Sequence, residues 1–430
     1  MRRLHAVALF GAIAIATITI PAMAGPFTSV GLIATIAVPS AGPSINPNPG
    51  GAFTGFDISY VDPTTGIDYV ADRSNAAVDV FAGTSYLGRT ASVFAGQIPT
   101  SMGGSSVSGP DGVVTVSNGS QHTLFAGDGG LTCPNCSLLR SFNITSPSLP
   151  PPTQFPNLNT GGTFRVDEMA YSPTASSPSS KGLVLVANNA DSPAFGTLVD
   201  AGTGLATHTN ITIPAKGSIG AAMGLEQPVW DPATNSFFIS VPSFGGGTNP
   251  GGVAEIKPDG TIGKEFDFGA AGTGITSCSP TGLALGASGN LMVGCGNAGT
   301  QTIVLNPSTG SIVTTFPEIS GTDELWYDPT TGAYYVTGSS GSDRVFDIIS
   351  DSSLAILQTV DLGLPASVGA HSIAVDPFTG AVYLPLPGGT SNTICPLGCV
   401  AVFAPEPGSL PVLVVGLAGL MGLAVRRRLH

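Results

Sequence analysis

The body of the chain alternates short β-rich runs with turns, and one phrase recurs along it. The phrase is an acidic or polar residue, three or four mostly apolar positions, the turn Asp-Pro-x-Thr-Gly or a relative, then a second β-rich run. It runs from Asp57 to Asp62-Pro63-Thr64-Thr65-Gly66 and on to Tyr69-Val70. It returns from Glu226 to Asp231-Pro232-Ala233-Thr234-Asn235 and Phe237-Phe238-Ile239, and from Asp323 to Asp328-Pro329-Thr330-Thr331-Gly332 and Tyr334-Tyr335-Val336. The last copy runs from His371 to Asp376-Pro377-Phe378-Thr379-Gly380 and Val382-Tyr383-Leu384, and weaker copies begin at Asp111, Asp167 and Thr281. The turn explains itself. Asp accepts backbone N–H bonds, Pro presets φ, and Gly or Asn takes the left-handed position that closes a hairpin.

Many copies carry a second hairpin downstream, at Asp200–Gly204, Lys257–Gly260 and Asn306–Gly310. Two hairpins make a four-stranded unit, and the seven starts are spaced by 42 to 59 residues. Four-stranded units repeated at this period predict an all-β fold, a β-propeller of seven blades. Six blades, with the poor unit at Asp111 misassigned, is the alternative. A β-helix is disfavoured because its repeats are shorter. The last unit lacks an outer strand after Val400-Ala401-Val402-Phe403, while an unassigned strand, Val30 to Val38, lies near the start. That strand is expected to complete the last blade and close the ring, which removes exposed edges.

Composition agrees with a turn-rich fold: Gly contributes 59 and Pro 36 of 430 residues, without a collagen-like period. The regular Val, Ile, Phe and Tyr runs argue against disorder. Five of the 14 basic residues and one of the 27 acidic ones lie at the two ends, which leaves the body nine basic against 26 acidic side chains. Nucleic acid is therefore not expected as a partner, because phosphate contacts need Lys and Arg. The six cysteines form local pairs, Cys133/Cys136, Cys278/Cys295 and Cys395/Cys399, and the expectation is disulfides. Cys133-Pro-Asn-Cys136 could instead be a redox or metal motif, but no second such motif completes a zinc site and no βαβ pattern surrounds it.

Both ends read as sorting segments. Arg2 and Arg3, an apolar run from Ala6 to Ile20, and Ala22-Met23-Ala24 have the layout of a signal peptide over residues 1–24, with a retained anchor as the alternative. At the other end Pro405-Glu406-Pro407 precedes an uncharged apolar stretch, Ser409 to Val425, and then Arg426-Arg427-Arg428. A 17-residue stretch spans about 25 Å as a helix, the short end of what crosses a bilayer. This tail (405–430) closely resembles the PEP-CTERM signal read by exosortases in Gram-negative bacteria. The resemblance implies Sec export of a body covering 25–404, transient tethering in the inner membrane, and processing by an exosortase-like enzyme. The product would then reside at the cell surface, outside the cell or in exopolysaccharide.

The repeats resemble propellers of the NHL, YncE and SMP-30 (gluconolactonase-like) superfamily, whose first strands often read Pro-x-Gly-Ile-Ala-Val-Asp. Pro280-Thr281-Gly282-Leu283-Ala284-Leu285 and Pro110-Asp111-Gly112-Val113-Val114 come nearest. A regular WD signature is lacking.

One aligned position carries candidate chemistry. Five residues before the turn stand Asp57, Asp111, Asp167, Glu226, Thr281, Asp323 and His371. In a propeller this position begins the innermost strand, so the side chains are expected to converge on the central channel. Such a ring of oxygens could hold a divalent cation such as calcium, with Glu168 and Glu324 adding ligands or support. The competing reading makes these acids structural staples that bond backbone N–H groups. Trp230 and Trp326 read as equivalent positions just before the turn, packing between blades rather than stacking on sugar. His122 and His208 read as loop residues.

Two functional expectations follow. The first is an exported binding protein for a protein, glycan or small ligand. The alternative is a metal-dependent, lactonase-like hydrolase using Glu226, Asp323 and His371, in which a metal polarises a lactone carbonyl and activates water.

Overall fold

The computed structural model describes residues 29–406 apart from the internal segments 98–107, 120, 131–136, 147–148, 214–221, 246–249, 297–300, 339–343 and 366–367. The signal-peptide segment, the Cys133/Cys136 pair, and Pro407 onward with Arg426, Arg427 and Arg428 lie outside the described residues. No helix among the described residues is long and apolar enough to cross a membrane.

Seven four-stranded antiparallel sheets follow one another along the chain. Blades 1 to 6 span 59–89, 113–159, 169–212, 228–267, 280–316 and 325–361. Blade 7 takes Ala374–Val375, Val382–Leu386 and Cys399–Pro405 from one end of the chain and Val30–Ala37 from the other. The first strand of each blade touches the first strands of both neighbours around a closed ring. The seven-blade count therefore holds, and the weak unit at Asp111 is a full blade.

The predicted turns form as their chemistry requires. Asp62, Asp231, Asp328 and Asp376 each accept the N–H two residues on, at 2.8 to 2.9 Å. Gly66, Gly332 and Gly380 sit at φ of 70°, 64° and 70°, and Asn235 fills the same place at 53°.

A lone blade leaves both faces bare, so the core is divided. Seven hydrophobic clusters occur among the described residues, each made from two adjacent blades. This explains why second strands such as Leu183–Asn188 and Ser236–Val241 are buried at every position, whereas the outer strand Ile356–Asp361 keeps alternate positions exposed. Close approach at the centre is helped by Gly112, where a Cβ would lie 2.0 Å from the Asp167 carbonyl oxygen.

Ring closure occurs where expected. Val30–Ala37 pairs antiparallel with Cys399–Pro405, from Val30 opposite Pro405 to Ala37 opposite Cys399. The pairing runs into the tail motif: Glu406 N–H donates to the Ser29 carbonyl (2.7 Å), and Ser29 Oγ to Glu406 Oε2 (2.9 Å). Disulfides join Cys278 to Cys295 beside blade 5 and Cys395 to Cys399 at the entry to the third strand of blade 7.

Two local readings need correction. His122 and His208 lie on strands, in Gln121–Asp128 and Ala206–Thr212, with Nδ1 2.9 Å from Ser117 Oγ and 3.3 Å from Thr207 Oγ1 respectively. The polar residues around them suggested loops, but a propeller's second and outer strands tolerate such sequence where one face meets water. Trp230 and Trp326 are also not equivalent. Trp230 immediately precedes its turn Asp and pairs with Phe237, so its counterpart in blade 6 is Tyr327, which pairs with Tyr334. Side chains on a strand alternate, so the one-residue offset sends the two indoles to opposite faces. Trp230 packs in the core between blades 3 and 4, and Trp326 faces blade 7.

Candidate functional site in the central channel

The aligned position does converge on the axis. Asp57, Asp111, Asp167, Glu226, Asp323 and His371 precede the first strands of blades 1, 2, 3, 4, 6 and 7, and Thr281 lies within that of blade 5. Their electrostatic coupling reaches across the ring, with Asp57 acting on Glu324 and His371, and Arg165 on Glu226 and Asp323.

Two guanidinium groups sit among these carboxyls. Arg73, with only 6% of its side chain exposed, reaches Asp57 and also Asp111 at 2.7 Å. Arg165 lies 2.7 Å from Asp167, 3.3 Å from Asp111 and 3.8 Å from Asp57. Asn189 Nδ2 donates to Asp167 Oδ2 (2.6 Å) and Glu226 Oε1 (2.7 Å). Asp323 Oδ2 takes His371 Nδ1 at 3.3 Å, and the imidazole stands edge-on to Phe56 at 4.8 Å. Thr281 Oγ1 donates to the Thr322 carbonyl at 2.6 Å. The acids are thus stapled through side chains rather than backbone N–H groups. Among the described residues, no three His, Cys, Asp or Glu side chains are grouped to hold a metal ion.

One residue further along the strands lies a second layer, made of Glu168, Gln227, Glu324 and Ser372. Gln227 ties three blades together: Leu283 N–H (2.6 Å) and Leu325 N–H (3.2 Å) donate to its Oε1, and its Nε2 donates to the Leu325 carbonyl (3.0 Å). Ser372 Oγ donates to Glu324. Glu168 Oε2 is buried without a hydrogen-bond partner.

Charge states differ between these groups. Burial pushes Asp323 up, but the His371 hydrogen bond and charge outweigh it and hold the carboxyl below its ordinary value. The same contact raises His371 against the opposing effect of burial. Burial raises Asp167 to about 6 despite Arg165. Burial, followed by repulsion from Glu226, Glu324, Asp167 and Asp323, drives Glu168 well above the carboxylate range. Glu226 and Glu324 are raised in the same way, first by burial and then by neighbouring acids.

The channel opens into a cavity on each side of the ring. On the side of the residues that precede it, Arg73, His371, Phe56 and Gln97 line a space of about 280 Å³. On the side of the Asp-Pro turns lies a space of about 300 Å³. Its walls include Tyr60, Tyr171, Trp230, Trp326 and Tyr327, with Glu168 and Glu324 as its charged groups. Both tryptophans thus serve as packing and as channel wall, with Trp326 edge-on to Tyr60 at 5.3 Å.

Arg73, Arg165, Asn189 and Gln227 were not anticipated from the sequence. A signal existed for two of them. Arg73 in Val70-Ala71-Asp72-Arg73 and Asn189 in Val186-Ala187-Asn188-Asn189 both stand one residue past the second strand of their blades, at one repeat position.

By its fold the chain is a seven-bladed β-propeller with a polar central channel. It is similar in structure to Raptor of Chaetomium thermophilum, with a TM-score of 0.56 over 89% of this chain and 29% of that one, at 13% identity. At that identity the likeness shows the fold alone. No family profile matches the chain. No curated protein matches it.

Proposed function

We propose that this is an exported binding protein whose recognition site is the channel cavity on the side of the Asp-Pro turns. One observation carries the reading. Residues of six blades converge on a space of about 300 Å³ that combines aromatic walls with two carboxyls, the furnishing of a small-ligand site. The ends supply the address. Residues 1–24 read as a signal peptide, and the tail from Pro405 resembles the PEP-CTERM signal, implying an exosortase-like enzyme and a surface or exopolysaccharide destination. Membership of the NHL, YncE and SMP-30 superfamily belongs to the same proposal.

The chain's two tryptophans both line the cavity, so intrinsic fluorescence reports on it directly. A panel of small glycans, amines and carboxylates should include members that shift the emission saturably. An emission unmoved by the whole panel would contradict the reading. A second reading, metal-dependent hydrolysis of a lactone, draws on one observation, the His371–Asp323 pair open to the channel with side chains 35% and 43% exposed. Lactone turnover abolished by EDTA and by Asp323→Asn would favour it over the binding protein.

A further inference from the structure

We propose that the aromatic cavity binds a small alkylammonium ion, its charge met by Glu168 and Glu324 and its alkyl part by the aromatic and aliphatic wall. The inference rests on the reading of this cavity as the recognition site and names the ligand class.

Four observations lead there. Glu168, only 6% exposed, lines the cavity, and its Oε2 has no hydrogen-bond partner. A buried polar atom left unpaired among the described residues is costly, and one carried by a residue of the cavity wall points to a missing partner. Of the described residues that line the cavity, two are carboxylic acids and none is Lys, Arg or His. The neighbouring layer shows what such acids meet elsewhere in this channel, because Asp57, Asp111 and Asp167 each lie against Arg73 or Arg165. Among the described residues, the ion pairs of these two guanidiniums are with Asp57, Asp111 and Asp167, one layer away from Glu168 and Glu324. Finally, five residues with indole or phenol rings line the space, and ring faces attract cations, the more so when water is excluded.

The size fits an amine of a few carbons. A space of about 300 Å³ lies at the small end of ligand sites. The apolar wall, with Val113, Met169, Val229 and Leu283, suits an alkyl stem better than a polyhydroxylated ring. A cation there also opposes the burial and the repulsion from neighbouring acids that raise Glu168 and Glu324.

The test titrates the purified protein with butylammonium, 1-butanol and butyrate, three probes of similar length and different charge, followed by tryptophan emission and calorimetry. Butylammonium should bind saturably and about tenfold or more tighter than either isostere, the range expected of a charge-assisted contact. Glu168→Gln should weaken it by about tenfold with an unchanged melt, and Glu324→Gln serves as the second variant should the first fail to fold. If 1-butanol or butyrate binds as tightly, the cavity is a ligand site but the cation assignment is overturned. If none of the three binds, the assignment is likewise overturned, while the broader reading is judged by the panel above. If butylammonium binds equally to both variants, the carboxyls are not its partners and the proposal fails.

Discussion

The two ends of the channel hold cavities of nearly equal size and opposite furnishing. On one side of the carboxyl ring stand Arg73 and His371; on the other stand Glu168 and Glu324 among aromatic rings. The ring itself belongs with the first side. Its acids meet guanidinium, amide or imidazole groups, and the contacts cross from blade to blade. The second layer, displaced by one residue, holds carboxyls raised by burial and by neighbouring acids. Repetition placed acids in both layers, but only the first received cations. An acidic ring in a propeller is therefore not one feature. The layer paired with cations joins its acids from blade to blade, and the layer whose acids have no cation beside them is where a charged ligand can contribute.

Both layers depend on a closed ring, so the largest effect should come from opening it. Deleting Val30–Ala37 strips the outer strand from blade 7 and exposes the edge of Cys399–Pro405. The cooperative melt should fall by about 10 °C or more, or disappear: at about 2 cal/mol/K per residue a chain of this size moves by that amount for a loss of roughly 8 kcal/mol, and the deletion removes a whole paired strand. An unchanged melt would refute closure by this strand.

Arg165→Met should come next, at about 3–5 kcal/mol in chemical denaturation, because it leaves Asp167 and Asp111 buried with a partner removed. A loss under about 1 kcal/mol would mean that the guanidinium is dispensable and the first layer no better paired than the second.

A buried acid outside the channel separates burial from repulsion. Asp68 is raised to about 7 by burial, against the Ser59 hydrogen bond at 2.8 Å, and its Oδ2 has no hydrogen-bond partner. Because the folded value lies above the unfolded one, the native state binds the extra proton between about pH 4 and 7, and stability falls across that window as pH rises. Asp68→Asn should remove this slope. The shift of about three units sets a ceiling of about 4 kcal/mol, reduced by about 1–3 for an amide N–H without a partner. The variant should be the less stable of the two at pH 4, by that amide cost, and should gain steadily on the parent up to pH 8. Parallel stability–pH curves would contradict a protonated Asp68.

The smallest effect is expected in the second layer. Glu168→Gln replaces a carboxyl that burial and neighbouring acids push toward its neutral form by a near-isostere, so at pH 7 stability should change by less than about 1 kcal/mol. A loss as large as that of Arg165→Met would show Glu168 to be an ionised, paired group.

The turn grammar, the seven units and the strand exchange were legible in the sequence because each rests on local chemistry, namely Asp acceptance, Pro φ and a left-handed Gly or Asn. The convergence of Asp57, Asp111, Asp167, Glu226, Asp323 and His371 was legible too, since repetition puts one position on one axis. Their partners were not. Arg165 reaches an acid of a neighbouring blade from outside the repeated phrase, and Asn189, though it shares a repeat position with Arg73, reaches across to blade 4, a choice of partner that no local pattern encodes. The cavity was hidden by a one-residue offset. Trp230 and Trp326 read as one repeated packing position, whereas strand alternation turns them to different faces that both meet the channel.

The central claim is that the second layer lacks a cation, and the side-chain carboxyl carbons test it most directly. The sequence contains seven glutamates, so selective ¹³C labelling of their carboxyls gives few signals, assignable by single substitutions. In a pH titration by NMR without added ligand, the signals of Glu168 and Glu324 should stay protonated at neutral pH and ionise only well above the usual carboxylate range. If both ionise together with the exposed glutamates, the second layer is already satisfied and the account fails.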